Sequence, residues 1–387
     1  MTQSDHPAEW EHKTLDLLDD LVSIRSVNPP GDEDEIAEFA AAYLEERGLA
    51  IQRVPLSPGR SSILAQIPGE KEGSVVLCGH LDTVRVREED WSVPAFETTR
   101  RDGRIYGRGT ADMKGGVAVL MQAAAWVAGW TERPRHTLKL ALTCDEENGY
   151  RGAKSLGDGG YLDDTLALII AEPTDHHVYM GQKAEAWITV SFKGQSAHGS
   201  VPHTGVSSLL PAAEFCTAIN AEAAKLKPIP GRGKTSLNIG EIHGGWQFNV
   251  VPPVTTVKLD FRVISEEDRD KVLELVRGLG TSIAQRTGTT FEMELKRTHS
   301  PILGDPEDPW VTAFSEAAQR VTGAAQDVEI TPYSTDAIAL IETIQPPVII
   351  YGPGSINQAH GADEFVTVDS MNEGLAVYRE FLRATLS

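Results

Sequence analysis

The chain has 387 residues, of which 41% are hydrophobic and 24% charged, which is typical of a soluble globular protein with room for two domains. Its net charge of −21 argues against a nucleic-acid partner, because phosphates attract basic patches. The polar N-terminus and the lack of a long apolar run predict neither a secretion signal nor a membrane anchor. The cysteines, Cys78, Cys144 and Cys216, are widely spaced and form no C-x-x-C pair, which favours a reducing cytoplasm over a disulfide framework.

Predicted helices and strands alternate in the first part of the chain. Pro29-Pro30-Gly31 separates the first two helices, and Asp32 is the predicted N-cap of the second. The segment Ser62–Ile67 reads as the first strand. In chain order the patterns predict helices at Ala8–Ile24 and Glu33–Arg47, strands at Ser62–Ile67 and Val75–His80, a turn at Arg101–Arg104, a buried helix at Gly115–Gly129, and strands near Leu138 and Leu166. This alternation indicates βαβ architecture.

The pattern changes near Met180, where apolar and polar residues begin to alternate. Ser265 with Asp268 three residues later marks a helix start. The predicted elements are half-buried antiparallel strands at Ala184–Phe192, Thr255–Val263 and Thr289–Leu295, with helices at Val206–Leu226 and Glu266–Leu279. After Ser300 the α/β pattern resumes, and a strand at Val348 is expected to rejoin the first sheet. The sequence therefore predicts an α/β domain with a mainly parallel central sheet, formed by residues 1–180 and 298–387, and an inserted α+β domain at 181–297.

Several apolar runs end in residues of the types that bind metal ions. The strand residues before His80, Glu146-Glu147 and Glu172 are rich in Val, Ile and Leu, and the run at Val348 is followed by a loop that ends at His360. Ligands of open α/β sheets bind beyond the carboxyl ends of the strands. With Asp112, the candidate ligands are His80, Glu147, Glu172 and His360, and imidazole with carboxylate suits Zn²⁺ or a similar divalent ion. The set exceeds the needs of one tetrahedral zinc and suffices for two ions that share a carboxylate.

Two further acidic residues next to these ligands have predicted roles. Asp82 lies two residues beyond His80, and its carboxylate is expected to accept the second N–H of that imidazole. Glu146 and Glu147 are adjacent, so their side chains diverge. One can bind metal while the other acts as general base toward a bound water.

These residues lie in motifs that resemble those of the M20 metallopeptidase family, which includes acetylornithine deacetylase, succinyl-diaminopimelate desuccinylase and glutamate carboxypeptidase. The resemblance runs in order along nearly the whole chain. The matching stretches are Gly79-His80-Leu81-Asp82-Thr83-Val84, Gly107–Gly116, Asp145-Glu146-Glu147, Glu172-Pro173-Thr174, Ser196-Ala197-His198, Asn249–Pro252, Asp260-Phe261-Arg262 and Ala359–Glu364.

The resemblance implies a role for each matched residue. Asp112 would bridge two metal ions, with His80 and Glu172 completing one site and Glu147 and His360 the other. Glu146 would be the general base for a metal-bridging water, and Asp82 is counted with it and His198 among the predicted catalytic residues. The implied ions are two Zn²⁺, with cobalt as the alternative. The family also places a cis peptide after the bridging aspartate, here between Asp112 and Met113.

The inserted domain is implied to act as a lid and dimerisation domain. His198 would then stabilise the oxyanion in the partner subunit's site of a homodimer. Asn249 and Arg262 match positions that contact substrate. The alternative for Arg262 is a structural ion pair with Asp260. The segment with Ser334 lines the substrate pocket in relatives, and Tyr333 departs from the family pattern there.

The sequence favours a cytoplasmic metal-dependent amidohydrolase that removes an N-acyl group from an amino acid, of the acetylornithine deacetylase or succinyl-diaminopimelate desuccinylase type. A glutamate carboxypeptidase-like or dipeptidase-like metallopeptidase is the alternative within the enzyme class. A non-catalytic family member is the alternative from another class, and the completeness of the ligand set argues against it. The acyl group and the amino acid stay open.

Overall fold

The computed structural model describes residues 7–326 and 328–387. The chain forms two compact units, one of Met1–Gly181, Leu303–Glu329 and Thr335–Ser387, and one of Gln182–Ile302 and Ile330–Ser334. Part of the polar N-terminal segment, residues 1–6, lies outside the described residues. Within the described ranges, no helix has the length and apolar character needed to cross a bilayer.

The helices and strands are numbered in chain order. The helices are α1 Pro7–Ser23, α2 Asp34–Glu45, α3 Lys114–Ala128, α4 Glu146–Gly149, α5 Arg151–Asp158, α6 Leu209–Ala223, α7 Glu266–Thr287, α8 Pro309–Thr322, α9 Ala337–Leu340 and α10 Val368–Leu386. The strands are β1 Ala50–Ser57, β2 Arg60–Ile67, β3 Lys71–His80, β4 Thr99–Arg101, β5 Arg104–Tyr106, β6 His136–Thr143, β7 Thr165–Ile170, β8 Tyr179–Gln182, β9 Ala184–Lys193, β10 Ser236–Gly244, β11 Val254–Val263, β12 Thr290–Thr298, β13 Ile302–Leu303, β14 Glu329–Thr331, β15 Val348–Ile350 and β16 Phe365–Thr367.

The central sheet is mixed, with a parallel core. Its strand order is β1-β2-β6-β3-β7-β15-β8-β13, and β14 pairs with β8. The pairs β6–β3, β3–β7 and β7–β15 are parallel, whereas β1–β2, β2–β6 and β15–β8 are antiparallel. The predicted α/β fold is confirmed, as is the return of the Val348 strand to the first sheet.

Burial explains why the parallel core forms from these segments. Residues Ser74–His80 of β3 are buried, and so are the last four residues of β7. Helix α3 is buried from Lys114 to Val127 and packs against β3, β6, α1 and α10. A helix buried on every side and strands buried on both faces need the continuous apolar runs that the sequence contains.

The second unit contains a four-stranded antiparallel sheet in the order β10-β11-β9-β12. Alternate residues of β9 and β11 are buried beneath α6 and α7, and Phe192 packs against Phe215 and Phe291 with ring centroids 5.7 and 5.4 Å apart. This alternation is the pattern expected for a sheet with one face covered by helices and the other exposed to solvent.

Several element predictions need correction. The strand at Ser62–Ile67 is not the first, because β1 precedes it. Strand β1 was missed because it lies at the sheet edge, with most side chains at least partly exposed, and pairs only with β2. Strand β10 was missed for the same reason. Asp32 is not the N-cap of α2, since Glu33 holds that position without a side-chain cap bond.

The two helices of the second unit have other bounds than predicted. Helix α6 covers Leu209–Ala223, which is shorter than Val206–Leu226. Helix α7 continues past Leu279 to Thr287 and ends at Gly288, which has a φ of 74°. Gly280 does not end the helix. A Cβ there would lie 2.1 Å from the ring of Phe291, so this glycine allows close packing instead. The Ser265 cap is confirmed, because its side chain accepts a hydrogen bond from the Asp268 N–H.

Candidate metal centre and active site

The parallel strands deliver the predicted ligands to one edge of the sheet. His80 is the last residue of β3, Glu146 and Glu147 begin the short helix α4 just after β6, and Glu172 lies two residues beyond β7. His360 lies in the loop between β15 and β16. Asp112 precedes α3, and the peptide that joins it to Met113 is cis, as the resemblance implies.

The side chains form two clusters that share Asp112. In the first, His80 Nε2 lies 3.0 Å from Asp112 Oδ1 and 3.7 Å from Glu172 Oε1. In the second, His360 Nε2 lies 3.2 Å from Asp112 Oδ2 and 3.1 Å from Glu147 Oε2. The ligand atoms of each cluster all lie within 4.8 Å of one another. The two oxygens of Asp112 therefore face different clusters, which is the arrangement a bridging carboxylate needs.

The carboxylates give this edge of the sheet a negative electrostatic potential that stabilises positive charge. Burial alone would lower the pKa of His80, but the hydrogen bond to Asp112 and the nearby charge of Glu172 raise it well above its ordinary value. Hydrogen bonds to Asp112 and Glu147 raise the pKa of His360 to about 10. Burial and the charge of Asp112 raise the pKa of Glu172 well above the usual range of a carboxyl group. A field that favours imidazolium here also favours a divalent cation in competition with those protons.

The donor set fits metal ions in its chemistry as well as its charge. Each cluster offers one imidazole and two carboxylates, which are ligand types that zinc and similar ions accept. Glu147 Oε1 is buried and has no hydrogen-bond partner among the described residues. A buried carboxylate oxygen without a donor is costly, and a cation at this position would satisfy it.

Asp82 acts through different atoms from those predicted. His80 Nδ1 lies 2.9 Å from the backbone oxygen of Asp82, whereas the Asp82 carboxylate is 3.7 Å from that nitrogen. The ring is thus oriented by a carbonyl, which leaves Nε2 directed at Asp112. The carboxylate instead accepts hydrogen bonds from the backbone N–H groups of Glu146 and Glu147, both at 3.1 Å. The prediction that the carboxylate accepts the His80 N–H is therefore corrected.

Glu146 is buried beside both clusters. Burial raises its pKa well above the ordinary value, and the charges of Glu172 and Glu147 add to this effect while that of His80 opposes it. A carboxyl group with a raised pKa next to a metal-binding cluster has the properties of a general acid–base.

Sequence reasoning did not assign a role to Glu364, although it lies at the end of a quoted motif. Its carboxylate accepts hydrogen bonds from the backbone N–H groups of Gly109, Ala111 and Asp112 at 3.0, 2.8 and 3.0 Å, and from the guanidinium of Arg108. Burial raises the pKa of Glu364, and the Arg108 charge opposes that rise. Glu364 thus fixes the backbone of the loop that presents Asp112.

A second buried network surrounds the loop before Glu146. The Asp145 carboxylate forms an ion pair with Arg60 Nη2 at 2.8 Å and accepts two hydrogen bonds from Arg151. Arg60 also forms a bidentate ion pair with Glu33. Both Arg60 and Glu33 are buried. Nothing in the local sequence indicated these long-range ion pairs, because their members come from separate elements.

The remaining predicted residues belong to the second unit. His198 is exposed, with Nδ1 2.7 Å from Ser200 Oγ, and it lies beside Asn249 because Gly199 N donates to the Asn249 oxygen at 2.7 Å. Arg262 forms ion pairs with Asp260 at 3.1 Å and Glu185 at 3.3 Å.

These contacts bear differently on the predicted roles. The ion pairs are those expected if Arg262 has a structural role. A role of Arg262 in substrate binding stays a prediction. Ser334 Oγ donates to the Lys183 carbonyl at 3.1 Å, and its predicted substrate contact also stays a prediction.

Comparison with known proteins adds a family and a set of relatives. Residues 76–384 match the family model of Peptidase family M20/M25/M40. The chain is 30% identical to an acetylornithine deacetylase of Vibrio campbellii, over 94% of this chain and 96% of that protein. It is 28% identical, over 97% and 98% of the two chains, to a Staphylococcus epidermidis protein named "Probable succinyl-diaminopimelate desuccinylase".

Solved structures show the same fold. A tripeptidase of Staphylococcus aureus superposes with a TM-score of 0.83 at 21% identity, covering 97% of this chain and 98% of that one. The Bacillus subtilis YXEP protein, described as a dinuclear metal-binding peptidase, superposes with a TM-score of 0.74 at 16% identity, covering 97% and 98%.

Proposed function

Because the chain belongs to peptidase family M20/M25/M40, we propose that it is a hydrolase that removes an N-acyl group from an amino acid at a site with two metal ions. The observation that carries this proposal is the pair of clusters that share Asp112, with the buried carboxyl group of Glu146 beside them. The non-catalytic alternative is set aside, since the family and the complete ligand set both indicate an enzyme.

The proposed ligands divide between two ions. His80 and Glu172 would hold one, Glu147 and His360 the other, and Asp112 both. Bound there, two divalent ions would act as Lewis acids toward the scissile carbonyl and make water more acidic. Imidazole and carboxylate ligands without thiolate favour zinc, and cobalt is the alternative.

The chain itself supplies the proton transfers. Glu146 accepts a proton from the attacking water and then delivers it to the nitrogen of the leaving amine. The backbone N–H of Glu146 donates to the Asp82 carboxylate, which holds the part of the chain from which the Glu146 side chain extends. A general base that is positioned before the reaction avoids the cost of ordering it in the transition state.

The names of the relatives support an N-acyl amino acid as substrate, with succinyl-diaminopimelate and acetylornithine as the first compounds to test. The structural neighbours that are named as peptidases keep a dipeptidase-like or carboxypeptidase-like activity as the second candidate. Both reactions break an amide whose nitrogen belongs to an amino acid. They differ in the group on the acyl side.

The second unit is proposed to form a homodimer in which His198 reaches the partner's site and stabilises the oxyanion. The support is an unusual concentration of exposed apolar residues. Trp246 is 67% exposed and Phe248 is fully exposed, both in the loop after β10, and Leu210 in the first turn of α6 is 71% exposed. Exposed aromatic residues grouped in this way mark interaction surfaces. A cytoplasmic location remains a prediction from the cysteines, which are unpaired.

A substrate screen tests the proposal. The purified protein, stripped of metal and reloaded with Zn²⁺ or Co²⁺, is assayed for release of free amine from succinyl-diaminopimelate, acetylornithine, other N-acyl amino acids and dipeptides. We expect the highest kcat/KM among the N-acyl amino acids and no turnover by the stripped protein. A preference for dipeptides would select the second candidate, and no hydrolysis of any linear amide would contradict both.

A further inference from the structure

The buried side chain of Asn28 lies between two carboxylates that surround the Glu146 loop. Its amide nitrogen donates to Asp82 Oδ2 at 2.8 Å and to Asp145 Oδ1 at 3.0 Å. Asn28 is only 1% exposed, and its carbonyl oxygen has no partner among the described residues. Among the described residues, the hydrogen bonds of this side chain are therefore made by its amide nitrogen, and both go to carboxylates.

Both aspartates are linked to the backbone next to the proposed general base, Asp82 through its carboxylate and Asp145 as the residue that precedes Glu146. Asp82 accepts from the N–H groups of Glu146 and Glu147. Asp145 directly precedes Glu146 and has a φ of 68°, a left-handed conformation that is uncommon for residues other than glycine. Its carboxylate is held by Asn28 and Arg151. The Asp145 carbonyl accepts from the N–H groups of Gly149 and Tyr150 at 3.1 and 2.7 Å.

The backbone around Asn28 is itself fixed against the residues that directly follow β3. Asn28 N donates to the Thr83 oxygen at 2.8 Å, and Thr83 N donates to the Ser26 oxygen at 2.9 Å. These two bonds are made by backbone atoms, so they do not depend on the Ser26 side chain, whose hydroxyl makes a separate bond to the Leu81 oxygen at 2.7 Å. The Asn28 amide thus extends from an anchored segment, and its two hydrogen bonds connect that segment to the Glu146 loop.

Charge explains why an amide occupies this place. The negative charges of Asp82 and Asp145 would repel each other if nothing lay between them. Arg60 and Arg151 contact Asp145 but not Asp82. A neutral group with two N–H donors satisfies both carboxylates without adding charge. An aspartate at position 28 has nearly the same shape but adds a third carboxylate and removes both donors.

We infer that Asn28 is a positioning residue for the reaction, which acts through Asp82 and Asp145 to hold Glu146 and Glu147 in place. This inference rests on the proposed function for its catalytic consequence, but the loop itself can be observed without activity. Removal of the Asn28 donors should loosen the segment from Thr143 to Tyr150. A shift of the base by about 1 Å can reduce a rate by about 100-fold.

The test compares Asn28→Ala and Asn28→Asp with the control Ser26→Ala, which removes a buried hydrogen bond from the same segment but touches neither carboxylate. Hydrogen exchange followed by mass spectrometry reports on peptides that cover residues 143–150, and steady-state assays give kcat and KM for the best substrate. Both Asn28 variants should exchange faster in that peptide than the wild type, with kcat lower by about 10- to 100-fold and KM within a few-fold. Ser26→Ala should change neither the exchange of this peptide nor kcat.

Several outcomes would overturn the inference. Unchanged exchange in folded Asn28 variants would do so, as would the same change in Ser26→Ala. Failure of both Asn28 variants to fold while Ser26→Ala folds would make Asn28 a purely structural residue. If the wild type hydrolyses no amide, the proposed function fails, and the exchange data alone still decide whether Asn28 holds the loop.

Discussion

Glu364 offers a sharp test of how the Asp112 loop is held. Its side chain is fully buried and pairs with Arg108, whose side chain is 3% exposed. Its two oxygens also accept hydrogen bonds from the N–H groups of Gly109, Ala111 and Asp112. Glu364→Ala removes all of these contacts and leaves the Arg108 guanidinium buried without its carboxylate.

The expected cost follows from that arrangement. Removing one partner of a buried ion pair typically destabilises a protein by about 3–5 kcal/mol, because the remaining charge stays uncompensated. The backbone donors add to the loss, although water that enters the cavity can satisfy part of it. Glu364→Gln keeps the volume but turns an amide NH₂ toward donors, so we expect a loss of similar size from it.

Urea unfolding of the metal-free protein measures the effect as a shift in midpoint at unchanged m-value. The matched control is Glu292→Ala on β12, which removes an exposed ion pair with Lys193 of β9. The side chains of both partners are about half exposed, so this pair should contribute little to stability. Both Glu364 variants should also bind metal more weakly, since the loop carries Asp112. A midpoint shift as small as that of the control would refute the reasoning.

Three further predictions concern the metals and the dimer. Asp112→Ala should lose both ions together, whereas Glu172→Ala should weaken the binding of only one. Metal analysis that finds one ion fully bound to the Asp112 variant would argue for another bridging residue. His198→Ala should keep both metals, with kcat lower by about 10²–10³-fold. If His198 acts across a dimer, mixing this variant with Glu146→Gln should restore part of the activity. Proven subunit exchange without recovery would argue against action across the dimer. Phe248→Ser should shift the protein toward monomer in light scattering at micromolar concentration, and a wild type that is already monomeric and fully active would disprove the dimer.

Much of the fold was predictable because its signals are local. The buried runs of β3, β6 and β7 are continuous and apolar, and such runs identify parallel strands from sequence alone. Strand β1 carries little of this signal. Its burial is confined largely to one residue, Val54, and its place in the sheet depends on its pairing with β2.

The candidate ligands were predictable for the same reason, since strand ends of a parallel sheet meet at one edge. The residues that hold these ligands in position were not predictable from the sequence. The sequence assigned the Asp82 carboxylate to the nearest predicted partner, His80, but it accepts from the backbone N–H groups of Glu146 and Glu147 instead. A side-chain pattern does not show backbone donors. The contacts of Asn28 and Glu364 join residues far apart in the chain, and only the folded structure brings them together.

The central claim is that Glu146 performs the proton transfers at a site with two metals. The most direct measurement combines metal analysis and steady-state kinetics on Glu146→Gln, which keeps the size of the side chain but cannot accept a proton. We predict two ions per chain, as in the wild type, with kcat lower by about 10²–10⁴-fold. Activity near that of the wild type at full metal content would contradict the claim.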